Sequence, residues 1–186
     1  IKMKKVFFYA SMALLFVTAS CDKDDDKTPE PVNEEEVITT LTVTLTPASG
    51  TAIVLKSFDD DGDGPNSPVL TVSGSLAANT VYSGAIELLN ELESPAEDIT
   101  EEVNEESDEH QFVFTLSGLS DVVIDNLNTD TNDMPLGTTF DLTTVAAGSG
   151  TVTFTLRHEP TKPNDGTLAE VGGDTDIEAT FDVVVQ

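Results

Sequence analysis

The sequence predicts an all-β fold: an antiparallel two-layer β-sandwich of immunoglobulin-like architecture with one short helical insert. Two observations carry this expectation. Apolar residues alternate with Thr and other polar residues over many short runs, the period-two signature of half-buried strands. Turn clusters of Gly, Asp, Asn and Pro separate those runs at short intervals, a spacing typical of sandwiches and barrels. An antiparallel barrel is the competing arrangement. Chain length bounds the rest: residues 37–186 are the size of one ordinary domain with its own core.

The expected elements follow in order. Ile38–Leu45 is a strand with Leu41, Val43 and Leu45 on one face, and Pro47–Gly50 turns it back into Thr51–Phe58. Asp59–Pro68 is an acidic loop before a short strand, Val69–Val72. Val81–Leu89 places Tyr82, Gly84, Ile86 and Leu88 on a shared face. A short helix is expected next, capped by Ser94 with Pro95 at its first position and Glu97 three residues after the cap. Ile99 and Val103 give it one apolar edge, and its glutamates at 101, 102, 105 and 106 should face water. Strands are then expected at His110–Leu116, Asp121–Leu127, Thr138–Thr143 and Thr151–Arg157, with Thr129–Gly137 a polar turn region. Ile177–Val185 closes the chain with Ile177, Ala179, Phe181, Val183 and Val185 inward. The Cys…Trp…Cys core of antibody domains is absent, because the chain has one Cys and no Trp.

The N-terminal region reads as an address. Lys4 and Lys5 precede an apolar run, Val6–Val17, and then the small residues Thr18, Ala19 and Ser20 before Cys21. A basic head, a short apolar run and small residues before a cut make a secretory signal. The run is too short to span a bilayer, which takes about 20 residues. Ile1 and Lys2, ahead of Met3, read as translation context. The small-small-Cys ending resembles a bacterial lipobox, which implies that residues 1–20 are removed and that Cys21 carries lipid. Asp22-Lys23-Asp24-Asp25-Asp26-Lys27 resembles the export tag of surface lipoproteins of the Bacteroidota, which implies the outer leaflet of the outer membrane. Residues 21–36 form an acidic flexible tether with Pro29 and Pro31 and little to bury.

Charge excludes some partners. The chain holds 8 Lys+Arg and 35 Asp+Glu; Lys2, Lys4 and Lys5 precede Cys21 and no acid does, so five bases against 35 acids leave the mature chain at a formal −30. Such a charge repels nucleic acid and anionic headgroups and favours cations. Membrane attachment then rests on the lipid.

Three sets of residues are candidate sites. Asp59, Asp61 and Asp63 alternate and Gly64 follows, the opening of a calcium loop. The twelfth position is Leu70 rather than Glu and no flanking helices are expected, so the loop is no EF-hand. Asp130, Asn132 and Asp133 are candidates to complete its oxygen shell. His110 and His158 are the two histidines of the chain, and with a carboxylate they can hold zinc, copper or iron. Arg157, the one arginine, has a salt bridge to Glu159 or Asp182 as its plainest expected role. Ser49 and Ser149 lie in Gly/Ala turns without a nucleophile motif, and P-loop and dinucleotide fingerprints are absent.

Several stretches together resemble a family of small, uncharacterised Bacteroidota lipoproteins: Asp59–Gly64 with Ser67–Leu70, Leu76–Gly84, Glu87–Glu91, Asp108–Phe112, Leu156–Pro160 and Gly172–Ile177. Members often carry a "type 1 periplasmic-binding" label, which implies a two-lobed α/β receptor. This chain is too short for that, shows no βα repeats and reads as all β. The expectation is therefore a non-enzymatic surface lipoprotein of the outer membrane. It would bind a ligand or serve a TonB-dependent β-barrel transporter, with calcium as its candidate ion. A structural or adhesive module and a polysaccharide hydrolase are the alternatives.

Overall fold

A computed structural model describes residues 36–62 and 64–186. Ten strands and two short helices follow one another. The strands are β1 (Thr40–Pro47), β2 (Ile53–Phe58), β3 (Val69–Val72), β4 (Thr80–Asn90) and β5 (Glu97–Asp98), then, after helix α1 (Ile99–Glu105), β6 (His110–Ser117), β7 (Val122–Asp125), β8 (Thr139–Thr144) and β9 (Gly148–His158), and, after helix α2 (Leu168–Val171), β10 (Asp174–Val185). The fold is mostly β, with two antiparallel sheets. The larger runs β3-β2-β1-β4-β8-β7, with β5 added at the end of β4, and the smaller runs β10-β9-β6.

The period-two pattern selects the buried faces. Leu41, Val43 and Leu45 of β1 and Tyr82, Ile86 and Leu88 of β4 join Phe112, Phe154, Leu156, Phe181 and Val183 of the smaller sheet in a single hydrophobic cluster. Phe140 of β8 lies 6.1 Å from Phe154, which lies 6.0 Å from Phe181, so aromatic rings link the contributions of both sheets. Gly84 faces Phe140 across the β4–β8 pairing, and a Cβ there would stand 2.4 Å from the ring. The connector after β3 also joins the sheets: Leu76 donates to the Val184 carbonyl and accepts from the Gln186 amide.

The helix differs from the sequence expectation. It begins at Ile99, not near Ser94, and Asp98 is its cap, with Oδ1 accepting from the amides of Thr100 (3.0 Å) and Glu101 (3.3 Å). Glu97 and Asp98 first pair with Asn90 and Leu89, which keeps the chain extended up to the cap. Thr100 then locks the first turn to β4, because its hydroxyl donates to the Leu88 carbonyl and accepts the Leu88 amide. Ile99 and Val103 are buried and the four glutamates face solvent, as the apolar spacing requires. Strands β9 and β10 are longer than the alternation alone indicates. β10 starts three residues early and β9 runs one residue further, to His158, at the end of the smaller sheet where β6 begins, and the histidines lie there.

Candidate metal centre

Strand register brings His110 and His158 together. His110 opens β6, His158 closes β9, and the two are directly opposed in the ladder, with ring centroids 4.6 Å apart. β10 supplies the third group through an irregularity. Thr175 pairs with Arg157 and Ile177 with Leu156, so Asp176 is the extra residue of a β-bulge. In strict alternation with Ile177 its side chain belongs on the opposite face; the bulge turns it in, and it is 1% exposed. Gly173, at φ 69°, makes this entry into β10 possible, because a Cβ there would lie 2.0 Å from the His158 carbonyl. The fourth group, Glu36, comes from the segment leading into β1.

Arg157 fixes that entry. Its Nε donates to the Gly172 carbonyl at 2.9 Å, and its two terminal nitrogens donate to the Gly173 carbonyl and the Thr175 hydroxyl. The guanidinium thus braces the loop before the bulge, in place of the salt bridge to Glu159 or Asp182 expected from the sequence.

The four side chains point their ligand atoms at a common centre, all within 4.8 Å of one another. His110 Nε2 lies 3.1 Å from Glu36 Oε1 and 3.9 Å from Asp176 Oδ2. His158 Nδ1 lies 3.3 Å from Glu36 Oε2 and 3.6 Å from Asp176 Oδ1. The two histidines are buried, Glu36 and Asp176 are partly buried residues, and the side chains of His110, Asp176, His158 and Glu36 are 0, 1, 3 and 5% exposed.

Electrostatics make this arrangement costly without a cation. Two buried carboxylates beside two neutral imidazoles carry a charge of −2, and buried charge must be compensated. His110 Nδ1 lies 3.1 Å from the Glu106 carbonyl, which can only accept, so Nδ1 holds a proton. Nε2 then meets the Glu36 carboxylate either as a second N–H or as a lone pair turned toward a metal. Burial alone would lower the His110 pKa, but its hydrogen bonds to Glu36 and the Glu106 carbonyl and the charges of Glu36 and Asp176 raise it. Burial pushes the Glu36 carboxyl up, yet the His110 hydrogen bond, its own backbone amide and the two imidazoles outweigh this and hold it at about 2. A divalent cation satisfies the same groups without either proton. His158 Nε2 is buried and has no hydrogen-bond partner among the described residues, so Nδ1 is the nitrogen that its surroundings engage. The cluster can coordinate a metal ion.

Imidazole nitrogen is the wrong donor for calcium, which takes oxygen ligands. The expected calcium loop is a separate feature. Asp59, Asp60 and Asp61 can bring carboxylate oxygens within 4.8 Å of one another, and Asp63 lies outside the described residues. Asp61 Oδ2 is held by Asn66 through its side-chain amide at 2.7 Å. Burial, then Asp59 and Asp60, raise the Asp61 pKa. Asp130 does not complete this shell. Its Oδ1 accepts the amides of Asn132 (2.8 Å) and Met134 (2.9 Å), and its Oδ2 is paired with Lys162 Nζ at 2.9 Å. Asn132 and Asp133 are exposed in the same turn, and Asp133 is outside the Asp59–Asp61 group. Lys162 instead serves the histidine region, since Nζ also donates to the carbonyls of Ser107 (2.9 Å) and His110 (2.7 Å).

Sequence reasoning identifies both histidines and neither carboxylate. Glu36 reads as the last residue of a solvated tether, and Asp176 falls just ahead of the expected Ile177–Val185 strand. The proposed lipidation residue Cys21 and the export stretch behind it lie outside the described residues. No family model, no curated protein and no solved structure matches this chain.

Proposed function

We propose that this chain is a non-enzymatic, lipid-anchored domain of the outer-membrane surface whose fold is closed by a buried transition-metal ion, with zinc as the best fit. The observation that carries the metal is that Glu36, His110, His158 and Asp176 can each offer one ligand atom, all within 4.8 Å of one another, close to the span a single ion bridges. A zinc ion 2.0–2.1 Å from each of four ligands sets tetrahedral edges of about 3.3 Å. Two histidines and two carboxylates neutralise a divalent ion. Four protein ligands and near-complete burial are the composition of a structural site, which supports a non-catalytic role.

The test is metal content. The mature domain, stripped and then exposed to equimolar zinc, is expected to retain one ion per chain by mass spectrometry, and His158→Ala to retain none. A wild-type protein that returns to zero after desalting contradicts the reading.

The address rests on the sequence: the basic head, the apolar run and Cys21, with the likeness to Bacteroidota surface lipoproteins. Cys21→Ser is expected to abolish labelling by a clickable palmitate analogue, and equal label on both proteins contradicts it. A TonB-dependent β-barrel is the proposed partner, tested by co-purification after mild detergent extraction; a protein that elutes alone at native expression removes that proposal. We further infer that the two sheets face each other as a β-sandwich, supported by the single core they share. Calcium at Asp59–Asp61 is the remaining ion proposal. It is sunk if millimolar calcium raises the melting temperature of wild type and Asp61→Asn equally at matched ionic strength.

A further inference from the structure

The four ligands are not held alike. His110, His158 and Asp176 all belong to β6, β9 and β10, three adjacent strands paired with one another up to the site. Around them, Arg157 braces the entry to the bulge and Lys162 holds the His110 carbonyl. Glu36 stands four residues before β1 begins. Among the described residues, the first backbone hydrogen bond that ties this segment to the sheet is made by Thr39, to the Leu89 carbonyl at 3.0 Å. Val37, between them, is 40% exposed. Three ligands thus belong to paired strands, and the fourth precedes the first paired residue of β1, with Ile38 between them packed against the core.

We propose that Glu36 is the removable fourth ligand of a zinc site, closing a preformed His110–His158–Asp176 half-site and opening one coordination position when the segment ahead of β1 lifts away. This rests on the metal reading above. Two histidines and one carboxylate form a sufficient zinc set in sites that keep a fourth position for water. Here Glu36 fills that position with a carboxylate, and both of its oxygens are committed, Oε1 to His110 and Oε2 to His158. A fully buried ion needs an entry path. Lifting Glu36 and Val37 about Ile38, which stays packed on the core, provides one without breaking a strand pairing, whereas release of any other ligand disrupts β6, β9 or β10. When Glu36 lifts, the charge of the ligand set changes from −2 to −1, and the bound ion then attracts a small anion or hydroxide into the vacated position.

Cobalt(II), which reports its coordination number in its visible spectrum, tests this with the mature domain. Wild type is expected to bind one cobalt with a four-coordinate spectrum that azide does not change. Glu36→Ala is expected to keep one cobalt, to respond to azide, and to release the ion to a chelator at least about tenfold faster. Asp176→Ala, which removes a strand-borne ligand, is expected to lose the ion. Independently of any variant, stripping the ion from wild type is expected to accelerate amide hydrogen exchange at Val37 and Ile38 while β6 and β9 stay protected. If wild type binds no cobalt, the metal reading itself fails. If wild type binds cobalt but Glu36→Ala loses it, or keeps it azide-inert with an unchanged release rate, the metal reading stands and the removable ligand is overturned. Equal exchange at Val37 and Ile38 with and without the ion overturns it as well.

Discussion

Protons and the proposed divalent ion would compete for the same four side chains, and that competition would set a pH dependence of opposite sign in the two forms. In the metal-free protein the raised His110 pKa contributes stability that is fully present below its ordinary value of 6.5 and is lost as pH rises through the folded value. The lowered Glu36 pKa contributes stability that is present above 4.5 and is lost as pH falls toward about 2. Metal binding instead needs both imidazoles unprotonated, so it strengthens as pH rises. Melting curves from pH 5 to 9 should therefore diverge: the stripped protein loses melting temperature above pH 6.5, while the zinc-loaded protein holds or gains it. Parallel curves contradict the assignment. Lys162 provides a second test at this scale. Its side chain is 9% exposed and that of Asp130 1%, and Asp130 is held below its ordinary pKa, against the upward push of burial, by Lys162 and two backbone amides. Lys162→Met leaves that buried carboxylate with its two backbone amides but without its cation. The expected cost is about 3–5 kcal/mol, a fall of roughly 10 °C in melting temperature. A fall under about 2 °C shows that the pair is dispensable.

Elements were legible wherever burial follows a fixed period. Tyr82, Gly84, Ile86 and Leu88 alternate in β4 as the sequence indicates, and Phe112, Phe154 and Phe181 are all core. Asp176 shows the limit. A bulge is one extra residue, and a strand pattern read from Ile177 onward assigns its neighbour to the wrong face. Glu36 was hidden for another reason: a glutamate in a run of glutamates reads as solvated, and only the pairing of β1 with β4 and β2 brings that segment beside the histidines. The helix start was missed because the partner of Glu97 and Asp98, the end of β4, lies outside the local sequence. Gly84 offers a test of the element reading. Its Cα stands under Phe140, so Gly84→Ala should displace the ring and cost about 1–3 kcal/mol by chemical denaturation, with the slope unchanged. A neutral outcome removes the close β4–β8 packing.

On the scale of the whole molecule, the centre lies where the chain enters the fold. Three ligands belong to the smaller sheet, and the fourth precedes the first strand of the larger one, so an ion there ties the two sheets together near residue 36. A formal charge of −27 works against compaction, and a buried cation at that junction would offset part of it. X-ray absorption at the zinc edge of the loaded mature domain tests this account most directly. It should show four nitrogen or oxygen neighbours at 2.0–2.2 Å, with the outer-shell scattering of two imidazoles. A six-coordinate shell of oxygen alone, without imidazole scattering, would contradict it.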